Sequence, residues 1–182
     1  MAEWILFLCI TLGLLYISRR ALRLPRSHGF YRFFAWECIA GLIALNLSQW
    51  FRDPFTWHQL ISWALLVISA SLVIGGVRLL RQLGKADAGR DSAPNYTFEK
   101  TTHLVTSGVY QYIRHPLYSS LLCLAWGVLF KRISLPGLLL ALAATAFLVA
   151  SARIEEDENL VTFGEAYRIY RQHSKMFIPY VF

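Results

Sequence analysis

The sequence predicts an all-α integral membrane protein with about five transmembrane helices, its N-terminus outside and its C-terminus inside the cell. Its 182 residues are 56% hydrophobic with a mean hydropathy of +0.44, which is more apolar than an ordinary soluble domain. The apolar residues form runs close to the roughly 20 residues that span a bilayer as a helix. In the N-out orientation, fifteen of the 18 Lys and Arg face the cytoplasm, leaving outside only Arg52, Lys131 and Arg132. We therefore expect a single membrane domain over residues 1–182.

Three transmembrane helices are predicted within residues 1–82, at about Ala2 to Ser18, Phe33 to Trp50 and Leu60 to Leu80. Arginines follow the first apolar run instead of preceding it, the reverse of a cleavable signal peptide, so we expect that run to stay as a helix. Glu37 lies in the second run, either lining a substrate channel or close to the interface.

Residues 83–182 are predicted to form a cofactor-binding loop, a helical hairpin and a C-terminal tail. The hairpin helices are expected at about Leu117 to Phe130 and Ile133 to Ala152. The first is about 14 residues, or roughly 21 Å against a hydrocarbon core near 30 Å, so we expect it to tilt or to begin below the headgroups. Helices joined by so short a link are antiparallel neighbours, which brings their cytoplasmic ends together. The stretch from Gly84 to Asn95 is interpreted as a flexible part of the loop.

The composition disfavours several other functions. A net charge of +7 could indicate nucleic-acid binding, but the basic residues flank apolar runs, as expected beside anionic membrane lipids. The three cysteines are far apart within apolar segments and form no disulfide framework, and no Cys/His spacing fits a metal site. We therefore expect neither nucleic acid nor metal as a partner. His28, His58 and His173 are interpreted as interfacial or solvated groups without a catalytic role.

A loop that feeds a helix, Thr106 to Tyr118, has the sequence TSGVYQYIRHPLY. Proline is favoured at the first helical position because its missing N–H has no partner there, so Pro116 predicts the helix start. The N–H groups of a first helical turn carry partial positive charge, and Arg114 and His115 stand beside them. An anion or the polar end of a cofactor is expected to bind there.

The tail begins with a charged stretch, RIEEDE, directly after the last apolar run. Arg153 and Glu156 are three residues apart and share a helix face, whereas Glu155 points roughly 100° away. One interpretation is a solvated helix end with a weak intrahelical ion pair. The other is a functional site, since the hairpin places these charges near Arg114 and His115.

Two segments, HLVTSGVYQYIRHPLYSS and RIEEDENLVTFGEAYRIYRQHSKMFIP, resemble the isoprenylcysteine carboxyl methyltransferases and the related membrane phospholipid methyltransferases, as does the apolar hairpin between them. The resemblance covers about Leu83 to Pro179, and the first three predicted helices match only in hydrophobicity and topology. It implies a small integral methyltransferase without a Rossmann domain. Such an enzyme uses S-adenosyl-L-methionine, releases S-adenosyl-L-homocysteine, and holds the cofactor between the loop and the tail.

The resemblance also implies roles for particular residues. Substrate contact falls on Arg153, the Arg before the acidic pair, and Arg114 is predicted with it as catalytic. Two positions stay open. Counting back from Tyr110 puts the family's His at Thr102, one residue before His103. The cofactor carboxylate is Asp157 when counted on from Arg153, but Glu155 or Glu156 when counted back from Phe163. The predicted cofactor-binding residues are His103, Leu104, Val105, Gly108, Tyr110, His115, Pro116, Leu117, Tyr118, Glu155 and Glu156.

The expected reaction is methylation of a carboxylate. A carboxylate is already ionised at neutral pH, so catalysis reduces to orienting and desolvating it, and Arg153 could hold it bidentately. An amine acceptor would instead need a base, and the sequence suggests no dedicated one. The expected acceptor is an amphiphilic or prenylated small molecule or peptide that enters from the bilayer. The expected location is a bacterial inner membrane with the active site on the cytoplasmic face.

Three alternatives remain at this point. The acceptor could be a phospholipid headgroup amine. The chain could instead be an NADPH-dependent sterol-reductase-like membrane enzyme, since those proteins share an apolar C-terminal region with a polar tail. It could also be a non-enzymatic assembly or transport subunit whose charged tail is a docking surface.

Overall fold

The computed structural model describes residues 1–84 and 103–181, and within them the protein is entirely α-helical apart from short 3₁₀ turns and loops. This confirms the all-α prediction for the described part of the chain. Most of the predicted flexible stretch, residues 85–95, and Thr102 lie outside the described residues. The six helices are α1 (Ala2–Ser18), α2 (His28–Leu45), α3 (Trp57–Leu83), α4 (Pro116–Leu129), α5 (Leu135–Phe163) and α6 (Glu165–His173).

Helix boundaries follow local capping signals. α2 begins at His28, earlier than the predicted Phe33, because the Ser27 side chain accepts a hydrogen bond from the backbone N–H of Phe30 at 3.3 Å. α4 begins at Pro116 as predicted. α5 continues past Ala152 to Phe163 without a break. The last third of α5 therefore extends beyond the apolar part and carries the acidic residues on a rigid helix.

Two helix pairs make the body of the protein: α2 packs most extensively on α5, and α3 on α4. Small side chains at the contact, such as Ala125, Ala141 and Ala144, are fully buried and let the helix backbones approach closely. Leu42 and Val128 fill the space between them and are also fully buried. The expected α4–α5 hairpin is present, and each of its helices makes its larger interface with an earlier helix.

Two helices of the described residues, α3 and α5, are long and apolar enough to cross a membrane. α1 and α4 are also apolar but shorter. Large apolar side chains along α1 and α3, including Trp4, Leu8, Val67 and Ile74, are exposed. Within α2, Glu37 accepts a hydrogen bond from Thr11 of α1 at 2.8 Å, so it joins these two helices.

A buried lysine closes the end of the protein that carries the α4–α5 turn. The Lys131 ammonium lies 3.4 Å from the ring centroid of Trp63 and 5.4 Å from that of Trp50. It also donates to the side-chain carbonyl of Gln59 at 3.0 Å, and the Gln59 amide donates back to the Lys131 carbonyl at 3.2 Å. These contacts fix the hairpin turn against the start of α3, at the opposite end of α3 from the candidate site.

Candidate active site

Backbone hydrogen bonds tie the C-terminal tail to the segment before α4. Arg114 donates its N–H to the carbonyl of Lys175 at 2.7 Å, and Lys175 donates back to Tyr112 at 2.9 Å. His115 donates to Met176 at 3.2 Å. Ile113 and Lys175 thereby form an isolated parallel bridge. The loop and the tail, predicted to meet, are held together by their main chains.

A cavity lies between this segment, the end of α3, the last turns of α5 and α6. Nine of the predicted site residues line it, and five further lining residues come from α3, α5 and α6. The predicted ones are Leu104, Val105, Tyr110, Arg114, His115, Pro116, Leu117, Tyr118 and Glu155. The additional ones are Leu80, Asn159, Phe163, Tyr167 and Tyr170.

Four predicted site residues do not line the cavity. His103 and Gly108 are both exposed and do not line the cavity. Arg153 is exposed on α5, two residues before Glu155 and therefore about 200° around the helix from it. Glu156 is only 2% exposed and lies beneath the cavity wall.

Helical phase would have found one of the missed residues. Asn159 is one turn beyond Glu155, on the same face of α5. Leu80 carries no comparable sequence signal. From the sequence, Tyr167 and Tyr170 could either pack the tail over the cofactor or anchor it at the membrane interface. Phe163 served only to set the register of the tail. In the structure Tyr170 is buried, and its hydroxyl donates to the carbonyl of Tyr110 at 2.6 Å.

Glu155 presents a carboxylate to the cavity. Tyr118 donates its hydroxyl to one carboxylate oxygen at 2.6 Å, and the other oxygen lies 3.9 Å from His115 Nδ1. The imidazole of His115 stacks on the Tyr118 ring with centroids 5.5 Å apart. Burial tends to raise the pKa of Glu155, but the nearby His115 and His28 and the Tyr118 hydrogen bond lower it overall. Glu155 is therefore an anion in the cavity wall.

Glu156 is a buried hub instead of a cavity group. Arg114 Nε lies 2.7 Å from its carboxylate, Arg171 Nε 3.3 Å and His115 Nε2 3.4 Å. Interactions with His115 and Arg114 lower the pKa of Glu156 to about 2, although burial alone would raise it. Arg114 also donates to the backbone carbonyls of Arg171 and Ser174. The Arg114 guanidinium thus joins the start of α4 to α5 and to the end of α6.

Two buried polar atoms of the cavity wall form no hydrogen bond of normal geometry among the described residues. They are the Tyr167 hydroxyl and His115 Nε2, which lies 3.4 Å from the Glu156 carboxylate. Buried polar groups are normally satisfied, so such atoms at a cavity indicate a place where a ligand binds. Aromatic rings of Tyr110, Tyr118 and Phe163 stand in the same wall. The site therefore combines one anionic group, unsatisfied polar groups and aromatic faces.

Gly108→Ala is expected to displace the loop that carries Val105 and Tyr110. Gly108 has φ +62°, and a Cβ there would stand 2.7 Å from Leu79 Cδ1 of α3. We expect a loss of about 1 to 3 kcal/mol, in thermal stability or in ligand binding. Gly13→Ala is the matched control, because a Cβ at Gly13 meets nothing within 4 Å. An equal response of the two variants, measured by thermal unfolding in detergent, would contradict the constraint at Gly108.

Comparison with known proteins gives a family match. The family described as phospholipid methyltransferase matches residues 57–165. A methanethiol S-methyltransferase of Pseudomonas sp. strain GM41 is 25% identical over 178 residues, 98% of this chain and 59% of the relative. Those of Pseudomonas deceptionensis and Mycobacterium tuberculosis are each 27% identical, over 65% and 78% of this chain and 42% and 50% of theirs. The chain thus spans about half the length of these relatives. No solved structure gave a significant match.

Proposed function

The chain belongs to the phospholipid methyltransferase family, and we propose that it transfers a methyl group from S-adenosyl-L-methionine to a thiol. The observation that carries the proposal is the cavity beside Glu155, where an anionic oxygen, unsatisfied polar atoms and aromatic rings converge. Family membership supports methyl transfer and disfavours the reductase and docking alternatives.

The cavity fits the polar groups of S-adenosylmethionine. Glu155 keeps one carboxylate oxygen clear of the Tyr118 hydrogen bond, and this oxygen suits the cofactor's α-amino group. The Tyr167 hydroxyl, which is buried and forms no hydrogen bond of normal geometry among the described residues, suits its carboxylate. Aromatic faces suit a sulfonium cation and an adenine ring. We therefore propose Glu155 as the cofactor carboxylate and Glu156 as its structural neighbour.

S-adenosylmethionine supplies an electrophilic methyl group on a sulfonium cation. The acceptor sulfur forms the new S–CH₃ bond as the old one breaks, giving S-adenosylhomocysteine and releasing the thiol proton to solvent. The chain's own residues orient the two reactants and exclude water. The aromatic side chains of the cavity wall contribute to both.

The case for a thiol acceptor has two parts. The similar proteins with an assigned activity are methanethiol S-methyltransferases. Arg114 is the arginine among the described lining residues. It already contacts Glu156 and the carbonyls of the tail, so it is poorly placed to bind an acceptor carboxylate. An uncharged acceptor that loses a proton fits such a wall better than an anion does.

A carboxylate acceptor is the second candidate. It is favoured by the position of Arg153, two residues before Glu155 and at the same level of α5 as the cavity. A prenylated cysteine or another lipid-like acid would then approach from the bilayer. The family's description names a third acceptor class, phospholipids.

The membrane arrangement forms part of the proposal. We propose five membrane crossings by α1 to α5, with the N-terminus outside, and the cavity at the cytoplasmic face of a bacterial inner membrane. Support comes from the apolar lengths of α3 and α5 and from the clustering of basic residues at the end of the molecule that carries the cavity. Membrane lipids are then partners along the exposed faces of α1 and α3.

The testing experiment is calorimetric titration of the detergent-purified protein with S-adenosylhomocysteine, followed by methyl transfer to a panel of acceptors. The panel contains methanethiol, a prenylated cysteine and phosphatidylethanolamine. Saturable binding with turnover on the thiol is the expected result. Folded protein that binds no S-adenosylhomocysteine would overturn the proposal.

Arg153→Ala discriminates between the acceptor classes. Because Arg153 is exposed and does not line the cavity, we expect thiol turnover within about twofold of wild type and an unchanged affinity for S-adenosylhomocysteine. Arg168→Ala, another exposed arginine, is the matched control. Loss of turnover with retained cofactor affinity would instead assign Arg153 to an acceptor carboxylate, as the sequence resemblance implies.

A further inference from the structure

A buried histidine lies outside the cavity and has no role in the reaction proposed above. His28, the first residue of α2, is 1% exposed, so the expectation of a solvated side chain is wrong for this residue. Its Nδ1 lies 2.6 Å from a carboxylate oxygen of Glu158 on α5, whose side chain is 35% exposed. The pair locks the start of α2 to the extended end of α5.

A short chain of contacts leads from His28 to the cavity. Ser151, fully buried on α5, donates its hydroxyl to the backbone carbonyl of His28 at 2.7 Å. The same hydroxyl lies 3.1 Å from the hydroxyl of Tyr118, which donates to Glu155 at 2.6 Å. Displacing the start of α2 would therefore move the groups that orient the Glu155 carboxylate.

Several charged groups face this cluster. Glu155 and Glu158 come from α5, Arg32 from the next turn of α2, and His115 stands at the start of α4 beside Glu155. Burial tends to lower the pKa of His28, but the Glu158 hydrogen bond and the charge of Glu155 raise it overall. His28 and Glu155 also interact electrostatically.

We propose that His28, held by Glu158, is a positioning residue for the cofactor carboxylate: it fixes the Ser151–Tyr118–Glu155 chain and places a titratable charge behind it. This inference rests on the proposed function, since it takes Glu155 as the ligand of the cofactor amino group. It adds a residue of α2, outside the segments that carry the family resemblance, to the cofactor site. It also makes cofactor affinity depend on the protonation of a group that never touches the cofactor.

The direction of the effect follows from the sign of the charge. Below its pKa, His28 is a cation that opposes the positive amino group of the cofactor at Glu155. As the pH rises through that pKa, the charge is lost and the cavity becomes more negative. We expect the affinity for S-adenosylhomocysteine to rise roughly fivefold across this step.

The test is the pH profile of S-adenosylhomocysteine affinity in wild type, His28→Gln and Glu158→Gln. We expect His28→Gln to lose the step. We expect Glu158→Gln to move it to lower pH, because the substitution removes the negative charge that helps to raise the pKa of His28. Comparison with wild type removes any contribution from His115, which all three proteins retain. His58→Gln, at the opposite end of α3, is the matched control and should keep the wild-type profile.

The outcomes are distinguishable. Wild-type protein that binds no S-adenosylhomocysteine at any pH overturns the proposed function and this inference together. Saturable binding with the same pH step in all four proteins overturns the inference alone and leaves the proposed function standing. If His28→Gln does not fold, the Glu158→Gln profile decides, because that variant retains the imidazole and changes a partly exposed side chain.

Discussion

Glu155→Gln is expected to weaken S-adenosylhomocysteine binding by about 1.5 to 3 kcal/mol, roughly 10- to 150-fold, in calorimetric titration. The glutamine keeps the size of the side chain and can still accept the Tyr118 hydrogen bond. It removes the negative charge that we assign to the cofactor amino group. The Tyr118 contact is retained, so we expect thermal stability without ligand to change little.

Two controls sharpen this prediction. Glu165→Gln changes an exposed carboxylate on α6 that pairs with Arg168 at 3.0 Å, and we expect wild-type affinity. Glu156→Gln changes the neighbouring buried carboxylate, which pairs with Arg114 and Arg171. We expect this variant to lose more thermal stability than affinity for S-adenosylhomocysteine. Equal affinity losses at positions 155 and 156 would refute the assignment of Glu155 as the cofactor carboxylate.

The sequence contained most of the site because its chemistry lies in two contiguous segments. Pro116 marks the helix start, and the residues around it must lie at that helix end whatever the rest of the chain does. The short link between α4 and α5 then brings Glu155 near His115 without further information. Local signals and one topological rule therefore predict that the start of α4 and the acidic pair meet, whereas the other predicted wall residues came from the family resemblance.

Helical phase and distant contacts explain what the sequence left open. The sequence alone makes Glu155 and Glu156 equally plausible as the cofactor carboxylate. Only the packing of α6 on one face of α5 decides which of the two is buried. His28 and Glu158 are 130 residues apart, and a single histidine beside an apolar run carries no signal of its partner. Arg153 shared a motif with the acidic pair, yet its position on the helix turns it to solvent.

The end of α5 also separates what local sequence signals predict from what distant contacts determine. The predicted apolar run ended at Ala152, where the charged residues begin, but α5 continues to Phe163. Charged side chains end a membrane span without ending a helix. Here Arg114, Tyr118 and His28 supply partners for Glu156, Glu155 and Glu158 respectively. Hydropathy therefore predicts the end of the apolar run, which is not the end of the helix.

Arg114→Met is expected to destabilise the protein by up to about 3 to 5 kcal/mol, because it removes the nearest partner of a buried carboxylate and leaves only the longer contacts with Arg171 and His115. Glu156 is 2% exposed, and its shortest contact is the 2.7 Å bond from Arg114 Nε. The substitution also removes the hydrogen bonds to the carbonyls of Arg171 and Ser174, which hold the tail. We expect a lower thermal unfolding midpoint in detergent and faster proteolysis after α5.

Arg168→Ala is the control for this substitution. Arg168 pairs with Glu165, and the two side chains are 67% and 66% exposed respectively. Solvent screens such a pair, so its loss should cost less than about 1 kcal/mol. Arg114→Met combined with Glu156→Leu should recover much of the stability lost in Arg114→Met alone, because no buried charge is left without a partner. A double variant no more stable than the single one would show that Arg114 acts through the tail carbonyls, with Glu156 contributing little. A single variant as stable as Arg168→Ala would remove the Arg114–Glu156 pair as the structural base of the cavity.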